Sequence, residues 1–166
     1  GRLSFVGRDV VPFLNRVLTR NVTEQKVGQS RYSLVCNESG GILDDIIVSR
    51  DQKNWLIVCN ASNRDKLVKW FTHQREAAKL DFDMSDQTEA TGMVALQGPK
   101  AIEKVSGVLP MDIAELKRYR FVSDSYMLIK FTVFRSGYTG EDGVEVILPA
   151  KMAGMAMKFL AGNFER

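Results

Sequence analysis

Three short stretches of this chain place polar side chains where a stable fold has little use for them. In Asn37-Glu38-Ser39-Gly40-Gly41-Ile42-Leu43-Asp44-Asp45-Ile46-Ile47-Val48, two consecutive carboxylates interrupt a run of large aliphatic residues. Successive strand residues point to opposite faces, so one of Asp44 and Asp45 meets water and the other meets the core or a pocket. Two readings are open: either aspartate bonds the backbone of the neighbouring hairpin, or a half-buried carboxylate accepts from a ligand nitrogen or moves a proton. The second stretch, Cys59-Asn60-Ala61-Ser62-Asn63-Arg64-Asp65-Lys66, leads from a strand end into a helix. Ser62 or Asn63 as a helix N-cap accounts for part of it, and Asn60 is left as a candidate ligand contact. The third, Ser136-Gly137-Tyr138-Thr139-Gly140-Glu141-Asp142-Gly143, has three glycines between strand-like segments and reads on composition as a glycine-rich hairpin. It lacks the GxxxxGK spacing of a phosphate loop.

The elements that must position these stretches follow from hydrophobic period. Residues 2–6 alternate polar and apolar and stop at Gly7. Asp9 then stands as an N-cap before Val10, Val11, Leu14, Val17 and Leu18, which share a helical face and tolerate Pro12 in the first turn. Residues 31–37, 42–49 and 55–60 read as an antiparallel meander. Glu38-Ser39-Gly40-Gly41 and Asp51-Gln52-Lys53-Asn54 are expected to supply the positive φ angles of its two tight turns. From Ser62 the period turns helical through Leu67, Val68, Trp70 and Phe71, and Leu80, Phe82 and Met84 alternate as a further strand. The second half repeats the grammar: a strand at 93–96 ending in Gly98-Pro99, a helix over 100–108, strands at 119–122, 127–134 and 144–148, and a helix over 151–160. Strand, helix, strands, helix, twice over, is an α+β pattern of two ferredoxin-like (split βαβ) halves with antiparallel sheets and packed helices. The expected divisions are 1–91 and 92–166, the second cut short.

Composition narrows the function classes. The chain has 166 residues, 45% apolar and 26% charged, which excludes collagen, coiled coil and long disorder and leaves room for a core that needs no metal or disulfide. A net charge of +3 from 23 basic and 20 acidic residues is far from the charged face of a nucleic-acid binder. With one histidine, His73, and no CxxC spacing, no protein-built metal site is expected. Cys36 and Cys59 sit in apolar runs and read as buried free thiols in a reducing compartment. No apolar stretch approaches the roughly 18 residues of a membrane helix, and no membrane association is expected.

Taken in order, four motifs resemble the aminomethyltransferase family, the T-protein of the glycine cleavage system. They are Tyr32-Ser33-Leu34 through Asn37–Val48, then Val58-Cys59-Asn60 through Lys66, then Ala95-Leu96-Gln97-Gly98-Pro99, then Gly137-Tyr138-Thr139-Gly140-Glu141-Asp142-Gly143-Val144-Glu145. The resemblance covers nearly the whole chain and implies a folate-binding aminomethyltransferase fold. It also implies an activity: an aminomethyl group on the lipoyl arm of the H-protein releases ammonia, and its one-carbon unit passes to tetrahydrofolate as 5,10-methylenetetrahydrofolate. By the same resemblance, the critical aspartate is Asp45, holding the folate near its attacking nitrogen and helping to move a proton. Tyr32, Ile47, Val58 and Asn60 line the folate pocket, and Glu141 bonds the pterin edge with Tyr138 close by. Tetrahydrofolate is the acceptor substrate, the lipoylated H-protein the partner, and the location the bacterial cytoplasm or the mitochondrial matrix. Family members are longer at both ends, so these residues are expected to be an incomplete stretch of such a protein.

Other readings share the fold: a folate-dependent demethylase, the folate domain of a sarcosine-type dehydrogenase, or a folate-binding accessory protein of the iron–sulfur maturation type. A plain α+β interaction module would give Asp45, Asn60 and Glu141 no reason to converge on one cavity, which makes their placement the discriminating observation.

Overall fold

A computed structural model describes residues 1–107, 109, 111–126 and 128–164. The chain is α+β and divides into two compact units, Gly1–Thr88 and Glu89–Arg166.

In the first unit, β1 (Arg2–Val6) leads to α1 (Val10–Val17). The meander β2 (Gln29–Cys36), β3 (Ile42–Arg50) and β4 (Trp55–Cys59) follows, then a 3-10 turn (Ala61–Asn63), α2 (Arg64–Ala77) and β5 (Asp83–Asp86). The sheet order is β2-β3-β4-β1-β5. Both β4 and β5 pair antiparallel with β1, so they run parallel to each other with β1 between them, and β4-α2-β5 is a split βαβ. β3 and then β2 extend that arrangement, β2 as the edge strand. Alternation sends Leu3, Phe5, Val35, Ile46, Val48, Trp55, Ile57 and Cys59 to one face. There they meet Phe13 and Leu14 of α1 and Leu67 and Phe71 of α2. Phe13 centres an aromatic cluster, with ring centroids 5.9 Å from Phe5, 5.7 Å from Phe71 and 4.6 Å from Phe82. Both cysteines are free; Cys59 is buried, its thiol pushed up by desolvation, whereas Cys36 is only half-buried because it lies at the bulged end of β2.

Several local expectations are corrected. Asp9 precedes α1, but its side chain makes no cap bond; its Oδ2 accepts the Asp81 backbone N–H at 2.9 Å, which with Arg8 lowers its pKa. Of the two meander turns, only the first contains a left-handed residue, Gly40 at φ 82°. Asn37 Oδ1 organises that turn by accepting from Ser39 N and Gly41 N, whereas the second turn closes through Asp51 N to Asn54 O at 2.9 Å without positive φ. Leu80 and Phe82 pack against the core ahead of β5, whose pairing begins only at Asp83.

The second unit runs β6 (Thr91–Gln97), α3 (Ala101–Ser106), β7 (Phe121–Tyr126), β8 (Ile129–Phe134), β9 (Gly143–Pro149) and α4 (Ala150–Phe164). Its sheet order, β6-β9-β8-β7, repeats the β1-β4-β3-β2 succession of the first unit. Val105, Ile113, Val133 and Val144 form its core. Val108 and Met127, at the expected ends of a helix and a strand, lie outside the described residues. The strand expected over 119–122 instead runs from Phe121 to Tyr126, after Tyr119 has turned the chain at φ 57°. Ser123, Asp124 and Ser125 extend it as an edge strand whose side chains face water.

Candidate functional site

Antiparallel register decides which side chains share the face opposite the core in the first unit. Tyr32 stands opposite Ile47, Ile47 opposite Val58, and Val58 opposite Arg2, giving one row across four adjacent strands. In the next row Leu34 stands opposite Asp45, and Asn60 follows just beyond β4 with its Nδ2 donating to Asp45 Oδ1 at 2.9 Å. All five residues expected here, Tyr32, Asp45, Ile47, Val58 and Asn60, are thus neighbours on one wet sheet face. Tyr32 is 46% exposed. Desolvation, then the charge and hydrogen bond of Asp45, raise its phenol above the ordinary value. Beside Tyr32 an open groove of about 520 Å³ follows the β2 edge between Thr19, Arg20, Asn21 and Arg31.

Asp44 takes the opposite role to Asp45. It shares the core-facing parity of Ile46 and Val48 and is 3% exposed. Its carboxylate accepts from Asn60 N at 3.1 Å, Asn60 Nδ2 at 2.8 Å and Asn63 Nδ2 at 2.5 Å. Neither aspartate side chain bonds the hairpin backbone. Nor is Asn63 a helix cap: it stands before α2 without a side-chain cap bond because its amide is committed to Asp44.

In the second unit the glycine-rich segment is a loop clamped from behind. Gln97, at the end of β6, donates through Nε2 to Ser136 O at 3.0 Å and Val144 O at 3.2 Å, and its Oε1 accepts from Thr139 Oγ1 at 3.3 Å. A Cβ on Gly137 would collide with the Gln97 amide, and one on Gly143 with the Leu96 carbonyl oxygen, so close approach explains those two glycines. Gly140 needs its positive φ of 83°. Arg135 donates through Nη2 to Asp142 Oδ2 at 2.7 Å and through Nη1 to Ala114 O at 2.9 Å and Leu116 O at 2.5 Å. The Arg135 hydrogen bond is the main reason the Asp142 carboxyl sits below its usual range. Tyr138, 91% exposed, and Glu141, also exposed, project from this fixed loop.

Of the residues expected to converge, Asp45 and Asn60 are brought together, while Glu141 belongs to the second unit. Three supporting residues carried no assigned role in the sequence: Asp44, Gln97 and Arg135. Gln97 lies inside the Ala95–Pro99 motif and Arg135 just before the glycine loop, so their positions flank recognisable signals.

Known proteins resemble the chain along most of its length. The aminomethyltransferase of Rubrobacter xylanophilus is 43% identical over 148 residues, covering 89% of this chain and 39% of the relative. That of Exiguobacterium sibiricum is 36% identical over 151 residues, covering 90% and 41%. The chain therefore spans about two fifths of the length of these curated relatives. The crystal structure of glycine cleavage system aminomethyltransferase T from Bartonella henselae superposes with a TM-score of 0.85 at 31% identity, covering 97% of this chain and 43% of that one. A model of the GCVT N-terminal domain matches residues 1–162, and with sequence, register and fold in agreement the chain belongs to that family.

Proposed function

We propose that this chain is the folate-binding part of a glycine cleavage aminomethyltransferase. It holds tetrahydrofolate as the acceptor of a one-carbon unit delivered on the lipoyl arm of an H-protein, with release of ammonia. The observation that carries this reading is the register that sets an aromatic and two aliphatic side chains, Tyr32, Ile47 and Val58, in one row beside the Asp45–Asn60 pair. A flat heteroaromatic ligand needs such a surface for its rings and a carboxylate for its N–H groups. Asp45 is the residue that holds the folate and assists proton movement, because it is the member of the aspartate pair that faces water. Glu141, on a loop that Gln97 and Arg135 keep in place, suits an edge presenting paired N–H donors, with Tyr138 beside it as a stacking surface. The H-protein is the partner, and the net charge of +3 suits a transient, salt-sensitive encounter with an acidic carrier. The named relatives are bacterial, which supports the bacterial cytoplasm as the location.

Anaerobic titration of the chain with tetrahydrofolate, followed by heat and by Trp55 and Trp70 fluorescence, tests the reading beside Asp45→Asn and Glu141→Ala. Saturable binding weakened by both substitutions supports it. Saturable binding indifferent to both refutes the site, and an absence of binding by this chain refutes the folate reading.

A further inference from the structure

Asp44 is a buried carboxylate to which the reaction proposed above gives no task. Removing a charge from water is costly unless donors replace the lost hydration. Here the donors are all neutral amides, from Asn60 and Asn63, and among the described residues no ion pair is made to it. Asn60 contributes twice, through its backbone N–H and its side chain.

That double contact has a geometric consequence for the exposed side of Asn60. A carboxylate that receives three N–H donors acts as an acceptor, so the amide cannot turn its oxygen toward Asp44. Its nitrogen must face inward. The two hydrogens of Nδ2 are then shared between Asp44 Oδ1 at 2.8 Å and Asp45 Oδ1 at 2.9 Å, with Asp45 O at 3.3 Å. Both are consumed by the protein, which leaves the amide oxygen as the polar atom Asn60 can offer a ligand.

We propose that Asp44 is a positioning residue: it locks the Asn60 amide with its nitrogen between the two aspartates, so that the Asn60 oxygen and the Asp45 carboxylate form an acceptor-only edge. Such an edge selects ligands with adjacent N–H donors and rejects those that present acceptors, because a mismatched buried polar pair loses its hydrogen bonds without replacement. The inference rests on the folate reading for the identity of the ligand, but the locked amide stands on this geometry alone. With Asn at position 44, a donor replaces one acceptor of the buried site, so Asp45 alone holds the Asn60 nitrogen inward and the amide loses its single orientation. Its outward atom is then no longer fixed as an acceptor.

The test has two arms on the 166-residue chain. In ¹⁵N-labelled protein, both Asn60 Nδ2 protons are expected to exchange with solvent markedly more slowly than those of the exposed Asn21; exchange at the same rate overturns the proposal. In the second arm, tetrahydrofolate affinity is measured for Asp44→Asn and Asn63→Ala alongside their thermal midpoints. Both variants lose a bond to the buried carboxylate and both should melt earlier. Only Asp44→Asn should weaken binding, about tenfold, the change expected from one lost hydrogen bond. Equal weakening by both, or by neither, assigns Asp44 to stability alone and overturns the positioning role. If the unsubstituted chain binds no folate, the folate reading fails and the exchange arm still decides whether the amide is locked.

Discussion

Replacing Arg135 by alanine should release the glycine loop without dissolving the second unit. The guanidinium ties Asp142, at the end of the loop, to the Ala114 and Leu116 carbonyls of the segment that follows α3. Each of these part-exposed bonds from a charged donor to a carbonyl contributes about 1.5 kcal/mol net, the low end for a charged group. The ion pair adds under about 1 kcal/mol, because the Asp142 side chain is 38% exposed even though that of Arg135 is only 18% exposed. The loss is therefore about 3–4 kcal/mol, localised to residues 111–118 and 135–143. Lysine keeps the charge but cannot grip a carboxylate and two carbonyls from one planar fork, so Arg135→Lys should recover less than half. Both tryptophans lie in the first unit, so fluorescence is blind to this change. Amide hydrogen exchange read by mass spectrometry is the appropriate assay, with exchange over 135–143 rising at least about thirtyfold in Arg135→Ala. The pH dependence has a definite sign. The folded-state pKa of Asp142 is lowered from 3.8, so its contribution is complete above about pH 3.8 and is lost as pH falls through the lower folded value. Arg135→Ala should remove most of that acid dependence, leaving the part due to the Gly143 N–H and the Arg118 charge. Lysine behaving like arginine, or unchanged loop exchange in the alanine variant, would refute the clamp.

Phe13→Ala empties the centre of the Phe5, Phe71 and Phe82 cluster and should cost about 3–5 kcal/mol, measured by urea unfolding followed through Trp55 and Trp70. A loss below about 1 kcal/mol would mean that the cluster collapses freely around the gap. Two glycine substitutions should differ in kind: Gly40→Ala meets open space and incurs only its left-handed φ, about 1 kcal/mol, whereas Gly143→Ala drives a methyl into the Leu96 carbonyl and should disrupt the β6–β9 pairing. Hydrogen exchange of β6 amides distinguishes the two, since only the second variant should lose protection there.

Elements whose two faces differ in polarity could be read from the chain. β1, α1 and α2 each bury a stripe that repeats at the proper period, and the meander is punctuated by turn residues. β7 could not be read to its end, because an edge strand that turns Ser123, Asp124 and Ser125 to water has no apolar alternation to reveal it. The aspartate pair shows a subtler limit. Strand parity says that one of the two points inward, but Ile46, Ile47 and Val48 are all aliphatic, so the flanking pattern carries no sign of which face is the core. Only register, with Ile46 and Val48 against the helices and Ile47 between Tyr32 and Val58, assigns Asp44 inward and Asp45 outward. Asn63 was similarly ambiguous: a residue type that caps helices is equally able to satisfy a buried carboxylate, and sequence spacing does not choose between them.

The same ambiguity marks the proposed ligand face. An antiparallel sheet covered by helices on one side ordinarily alternates apolar and polar, with the polar set toward water. In the first unit the outward positions Tyr32, Leu34, Ile47, Leu56 and Val58 break that rule and remain half-buried or exposed. Scattered exposed leucines need no explanation, but adjacent rows across neighbouring strands form a contiguous apolar surface, which soluble folds retain where something binds. The polar residues beside it are Asp45 and Asn60, which bond each other while Asn60 also bonds the buried Asp44. β3 therefore uses its two parities for different ends. Ile46, Val48 and the amide-satisfied Asp44 hold the sheet against α1 and α2, while Ile47 and Asp45 offer a ring-sized apolar surface and a carboxylate from the same backbone. A one-residue slip of β3 would exchange the two sets and lose fold and site together.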